Sequence, residues 1–435
     1  MVLILAVASL PLLVIMVYCL SRSVLLGWIC LLTLLLYTHT FGIERYQVGF
    51  LNIDVVDICE LCLIVAGVVR TIPRLRERNA ARTYVLVYLC IFAFSLARGI
   101  IAHGIAHAGN DSRPLAAFLI ACLYFLTAPA DPESVRKYVR VFMYFGLGLV
   151  LVGLLASMGL HVGLIASARG DAFVSAGGED RVLPADSGLA IAFCFFFSLA
   201  NSQSRINSVI RKCLPGVFFL MAVYLRLRTT WVVLVVALIY ILIKDRAMFR
   251  RLVPLGIVAC LVVAGYSFVA ATSAQSFEAK LSNSATDDRT WLWRVEGWQQ
   301  LIGEQLTVTG VLFGRSLGGG YERFDFITGQ YSEQVPHSEY VTQFYNMGIA
   351  GLAMVLCFMI RPLRRFWKLS RSEIQAVGPS ASAWALVVIG IMIYGVTYDP
   401  TVDAYALLGI ANAMVFRLDK NARRGISAPA LAQVT

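Results

Sequence analysis

SATDDRTWLWRVEGWQQLIGEQLTVTGVLFGRSLGGGYERFDFITGQYSEQVPHSEY, residues 284–340, is the stretch against which the rest of the chain is read. It lies in a polar segment, 272–340, rich in Arg, Trp and Gly, which runs directly into an apolar segment at 341–360. Elsewhere the sequence is almost continuously apolar, broken by short connectors. Of the 435 residues, 59% are hydrophobic and 14% charged, and the mean hydropathy is +0.74. Soluble domains carry about 25% charged and about 45–50% apolar residues. The composition predicts an all-α polytopic integral membrane protein in which 272–340 forms one large, partly helical external loop.

A membrane-crossing helix needs about 20 mostly apolar residues, or as few as about 17. Candidate spans are 3–20, 24–41, 53–69, 84–103, 114–127, 141–160, 187–200, 213–227, 230–244, 253–271, 341–360, 382–398 and 402–417, giving about 12 to 13 spans. The first twenty residues, MVLILAVASLPLLVIMVYCL, lack a basic start and a small-residue cleavage site and read as a retained span. The chain divides into a transmembrane bundle at 1–271, the loop at 272–340, C-terminal spans at 341–417 and a tail at 418–435.

Basic residues recur at every second connector: Arg70, Arg74, Arg76, Arg78 and Arg82; Arg136, Lys137 and Arg140; Arg205, Arg211 and Lys212. Further clusters are Lys244, Arg246, Arg250 and Arg251; Arg361, Arg364, Arg365, Lys368 and Arg371; and Lys420, Arg423 and Arg424. The positive-inside rule makes these connectors and the tail cytoplasmic and the long loop external. The formal charge of +11 is thus a topology signal and does not point to nucleic acid. All five histidines, His39, His103, His107, His161 and His337, fall at or near the external side, as do Asp399 and Asp403. None of the ten cysteines lies in 272–340, so no disulfide framework is implied. Cys59 and Cys62 read as packing thiols.

His337 stands where the loop enters the apolar run. Its ordinary pKa suits a general base, and it equally suits a residue that orients the next helix. Arg226 and Arg228 occupy a tight external hairpin, YLRLRTTW, residues 224–231. Arg289 opens DDRTWLWRVEGW, and Arg181 lies in EDRVLP, residues 179–184. The guanidinium fork fits phosphate oxygens; snorkelling or surface pairing with Asp287 or Asp288 are the plainer roles. In DDRTWLWRVEGWQQLI, residues 287–302, Trp291, Val295, Trp298 and Leu301 share one face. That predicts an amphipathic helix at the membrane surface, carrying Arg289 and Arg294 near the headgroups. Gly314, Gly318, Gly319 and Gly320 read as a structural turn. Asp54, Asp57 and Glu60 share a helix face and read as an ion-pair network or a cation site. His103 and His107, one turn apart, have no obvious further metal ligands.

Three segments in order resemble the O-antigen ligase and polymerase superfamily of bacterial membrane glycosyltransferases. They are LRLRTTWVVLVVAL at 225–238; DDRTWLWRVEGWQQLI with GVLFGRSLGGGY at 287–321; and PHSEYVTQFYNMGIAGL at 336–352. The matched part covers roughly 220–355. The resemblance implies a metal- and cofactor-independent, inverting transferase of the inner membrane, acting at the periplasmic face. Its donor would be a glycan on undecaprenyl diphosphate. His337 matches the family's base, and Arg228 and Arg289 match the arginines that hold the donor diphosphate; Arg226 and Arg181 are added by position. Ser338 departs from the family's usual Asn. The expected role is polymerisation of exopolysaccharide or O-antigen repeat units, with membrane lipids and a chain-length regulator as further partners. The alternative is ligation of the finished glycan to lipid A–core. A transporter or flippase is the reading from a different class; it expects substrate groups near the bilayer midplane.

Overall fold

The computed structural model describes residues 2–41, 46–48, 51–74, 80–157, 183–200, 208–225, 227–246, 248–253, 289–325, 329–369 and 378–423. Helices dominate. They are α1 (Val2–Arg22), α2 (Val24–Phe41), α3 (Val55–Arg74), α4 (Ala80–Leu123), α5 (Pro132–Ser157), α6 (Ala185–Ala200), α7 (Ser208–Tyr224) and α8 (Arg228–Lys244). After these come α9 (Arg289–Glu304), α10 (Val308–Phe313), α11 (Glu339–Leu369), α12 (Gly378–Thr397) and α13 (Val402–Arg423). Two antiparallel hairpins interrupt them: β1 (Tyr46–Val48) with β2 (Leu51–Ile53), and β3 (Glu322–Asp325) with β4 (Gln330–Glu333).

Among the described residues four helical runs are long and apolar enough to cross a membrane, and four shorter helical stretches, of 10–17 residues, are apolar. Outward-facing side chains carry the same message. On α8, Val232, Val235, Ile239, Leu242 and Ile243 are each more than half exposed. They lie at helical spacing, and such a stripe would be an aggregation surface in water but suits lipid. At the other extreme is α6, where every residue from Ser187 to Ala200 is buried. A helix apolar all round belongs inside a bundle, and α6 packs on α5, α7, α8 and α12.

Helix starts follow local chemistry. Asp131 caps α5 by accepting the Ser134 N–H at 3.0 Å. Asp54 and Asp57 accept each other's backbone N–H at 2.8 and 2.9 Å, a reciprocal cap at the start of α3. Asp57 also lies 3.4 Å from Arg113 of α4. These contacts favour the ion-pair reading of the acidic face over a cation site.

The connectors sort to two ends. At one, Arg361 pairs with Asp419 at 2.8 Å, Arg417 with Asp131 at 4.0 Å, and Arg70 donates to Thr127 Oγ1 at 2.8 Å and the Ser21 carbonyl at 2.6 Å. Lys244 lies 4.6 Å over the Trp367 ring at the same end. The other end collects His39 with Asp186, His103 with Ser316, Thr229 with Thr397, and Thr342 with Asp399.

Three expectations need correction. The connector expected between the spans 84–103 and 114–127 is itself helical, so the two helical segments of α4 meet directly at a break at Gly104 (φ 84°, ψ 165°). The expected span 341–360 is not one rod. Gly348 (φ 64°, ψ −164°) breaks α11. In a straight helix Tyr340 and Met359 would stand about 28 Å apart; here the Tyr340 hydroxyl lies 4.0 Å from Met359 Sδ. Residues 339–347 are therefore a short arm folded back beside the span that follows. The tail expected at 418–435 begins as helix, since α13 runs to Arg423. Most of the expected span 253–271 and the first part of the loop, 272–288, lie outside the described residues.

Candidate functional site

His337 has φ 51° and is the one non-glycine residue with a positive φ among the described residues. The left-handed conformation costs an L-residue about 1–2 kcal/mol and persists where surroundings over-determine it. Here they do. Trp298 Nε1 donates to the Pro336 carbonyl at 2.7 Å. On the other side the Ser338 carbonyl accepts the Thr342 N–H at 2.8 Å, and Ser338 Oγ donates to the Gly395 carbonyl at 3.3 Å. Both neighbours are held, so the imidazole has a fixed origin.

The hairpin β3–β4 supplies one wall. Gln300 of α9 acts like a strand partner: its Oε1 accepts the Phe324 N–H at 2.8 Å, and its Nε2 donates to the Phe324 carbonyl at 3.1 Å. That docking turns Arg323 inward, where it is 1% exposed. Its guanidinium lies 4.0 Å over the Trp293 ring, and Nη2 donates to Gln334 Oε1 at 3.0 Å. Arg323 Nε and Nη1 are buried without an acceptor. A side chain on Gly297 would overlap the guanidinium, so glycine lets α9 lie directly on it. A small separate core of Leu301, Tyr321, Val341 and Tyr345 fastens α9 and the hairpin to the arm at 339–347.

Trp293 then faces His337, ring centroids 6.1 Å apart. Arg294, next in the chain, lies 4.7 Å over the Tyr398 ring. Burial, and then the positive charges of Arg294 and Arg323, push the His337 pKa down to about 4. The imidazole is therefore neutral at neutral pH, with a lone pair available to take a proton.

Beneath it the arm is polar and buried. Thr342 donates to Asp399 Oδ1 at 3.0 Å, Gln343 to Glu339 Oε1 at 2.7 Å, and Asn346 to the Tyr321 hydroxyl at 2.7 Å. Such a seam fixes one packing of α11 against α12 and α13.

The residues singled out from sequence fare differently. Arg228 is the first residue of α8 and is exposed. The Thr229–Thr397 hydroxyl contact, 2.8 Å, sets that helix start against the end of α12, two residues from the carbonyl that holds Ser338. Arg228 and His337 thus share one end of the bundle. Arg289 opens α9, with its side chain outside the described residues, as are Arg181 and Arg226 altogether. The Gly-rich turn is occupied from within: the N–H groups of Gly318 and Gly320 donate to Asp111 Oδ2 at 2.7 and 3.3 Å. His103 bonds Ser316 Oγ at 3.1 Å and so docks the loop on α4. Among the described residues no group of three or more His, Cys, Asp or Glu could hold a metal ion.

No family model matches this chain, and no curated protein matches it either. The site therefore rests on its own geometry. Two of its members, Arg323 and Tyr398, carried no weight in the sequence. The sole trace of Arg323 was its place in YERFDF, where charged and aromatic residues alternate as in a short strand. Tyr398 was the last residue of an apolar run, with nothing to distinguish it.

Proposed function

We propose that this chain is a glycosyltransferase of a bacterial inner membrane, working at the face that carries residues 289–340. The basic end of the bundle is then cytoplasmic, and the His337 end periplasmic. The donor is a glycan on undecaprenyl diphosphate. His337 takes the proton from an acceptor hydroxyl, the hydroxyl oxygen attacks the anomeric carbon, and the lipid diphosphate departs with the bonding pair. One displacement inverts that centre. The observation that carries this reading is a neutral histidine, fixed in a left-handed turn between Trp293 and the membrane arm, with two guanidinium groups beside it. Fixed cations stabilise the charge that develops on a departing diphosphate without reorganising.

Arg228 and Arg289 are taken as donor-binding residues because of their place in the motifs. Arg289→Lys should lower transfer at least about tenfold, since Lys keeps the charge and loses the planar fork. Wild-type turnover by that variant would make Arg289 a surface residue.

The preferred acceptor is another lipid-linked repeat unit, which makes the enzyme a polymerase; lipid A–core would make it a ligase. Deleting the gene and analysing the glycan separates them. Single repeat units on the final acceptor mark a lost polymerase, long glycan stranded on the lipid carrier marks a lost ligase, and unchanged glycan rejects both.

The broken helices α4 and α11 give a transporter some support, because discontinuous helices line many transport sites. Their placement counts against it. Gly348 abuts Leu312 and Phe313, and His103, beside Gly104, bonds Ser316. Both breaks lie at the loop end, away from the middle of the bundle.

A further inference from the structure

Arg294 is half-buried, its Nε is buried with no hydrogen-bond partner, and its guanidinium lies over the Tyr398 ring. Among the described residues no carboxylate comes within ion-pair distance of it. That arrangement is costly unless something else completes it. A buried donor on a charged group left without an acceptor loses its hydration unreplaced, and stacking on a tyrosine face offsets that loss without supplying the missing acceptor. Neighbouring Arg323 adds a second guanidinium with two buried, unmatched nitrogens. Asp325 and Arg294 both act on Arg323, the carboxylate favouring its charge and the second guanidinium opposing it. The platform itself is firm. Tyr398 stacks on Tyr394 with centroids 5.0 Å apart, and Asp399, next in the chain, accepts a bond from Thr342 of the arm. The aromatic face orients the guanidinium plane, and two like charges side by side call for a ligand of more than one negative charge.

We propose that Arg294, laid over Tyr398, clamps the diphosphate of the lipid-linked donor next to His337, with Arg323 as a buried charge behind it. This rests on the glycosyltransferase reading and adds a donor-binding residue to it. Arg323 is enclosed by Trp293, Gln334 and Gly297, so contact with the lipid falls to Arg294. The fork of Arg294 takes two phosphoryl oxygens. Tyr398 keeps that fork in plane, as a positioning residue.

The full chain in lipid nanodiscs provides the test, with a sugar-free polyprenyl diphosphate as probe and the matching polyprenol as control. Wild type and His337→Asn should bind the diphosphate in preference to the polyprenol. Arg294→Gln should lose at least about tenfold in affinity for the diphosphate and none for the polyprenol. Arg294→Lys should recover part of that loss, and Tyr398→Leu should weaken binding with the arginine intact. A measurement without substitution protects the test against misfolding. Phenylglyoxal labelling of wild type, read by mass spectrometry, should show Arg294 shielded by the diphosphate and not by the polyprenol. Unchanged labelling, or Arg294→Gln binding like wild type, overturns the clamp and leaves the proposed reaction standing. Failure of wild type to prefer the diphosphate overturns both.

Discussion

His337→Asn should reduce glycan transfer by about 10²–10⁴-fold, the range a general base supplies, with insertion and thermal stability close to wild type. Asn is the informative replacement because it tolerates the left-handed conformation, which His337 adopts at φ 51°. Ala would add backbone strain to the loss of the base and confuse the two. The pH dependence gives the same residue a second signature. A histidine held at about pKa 4 loses its lone pair only as the pH falls through about 4; an ordinary one would lose it near 6.5. The acidic limb of kcat/KM should therefore lie well below pH 6. In Arg294→Gln it should move upward, since one of the charges that disfavour the imidazolium is gone. A limb near 6.5 in wild type would mean that the imidazole is not depressed by its surroundings, and full turnover by His337→Asn would remove His337 from the mechanism.

Gly348→Ala should cost about 3 kcal/mol or more and abolish transfer. Two effects combine. The backbone at φ 64° and ψ −164° is accessible almost only to glycine. A side chain there would also meet the Leu312 carbonyl and the Phe313 nitrogen, both backbone groups that cannot rotate away. Relief by straightening α11 would pull Tyr340 from the Met392 carbonyl, to which it donates at 2.7 Å, and would dislodge Ser338 and with it His337. Gly104→Ala is the comparison, because that site has the same kind of conformation but open space around it. It should cost only the strain, about 1–3 kcal/mol. The two melting temperatures, measured in one detergent, separate strain from overlap. Equal values would mean that the packing at Gly348 yields easily.

The sequence carried the apolar helices because hydropathy is local and needs no partner. It carried the alternation of basic connectors for the same reason, and it marked His337 by position. What it hid depends on contacts between distant residues. The Gly348 break is invisible to a window that averages over a whole span. The hairpin has four residues per strand, too few for a period to declare itself. Arg323 matters only after Gln300 has docked its strand and Gly297 has made room, and those residues stand 23 and 26 positions away. Arg294 did register as a charge on an amphipathic helix. Its orientation toward His337 depends on Tyr398, more than a hundred residues later.

The carboxylate gripped by Gly318 and Gly320 has one further consequence. Successive backbone N–H groups in a glycine turn make a ready trap for phosphate. Asp111 is a resident counter-anion in that turn. It anchors the loop on α4 and fills the turn, so these N–H groups are satisfied from within the chain and not open to an outside anion.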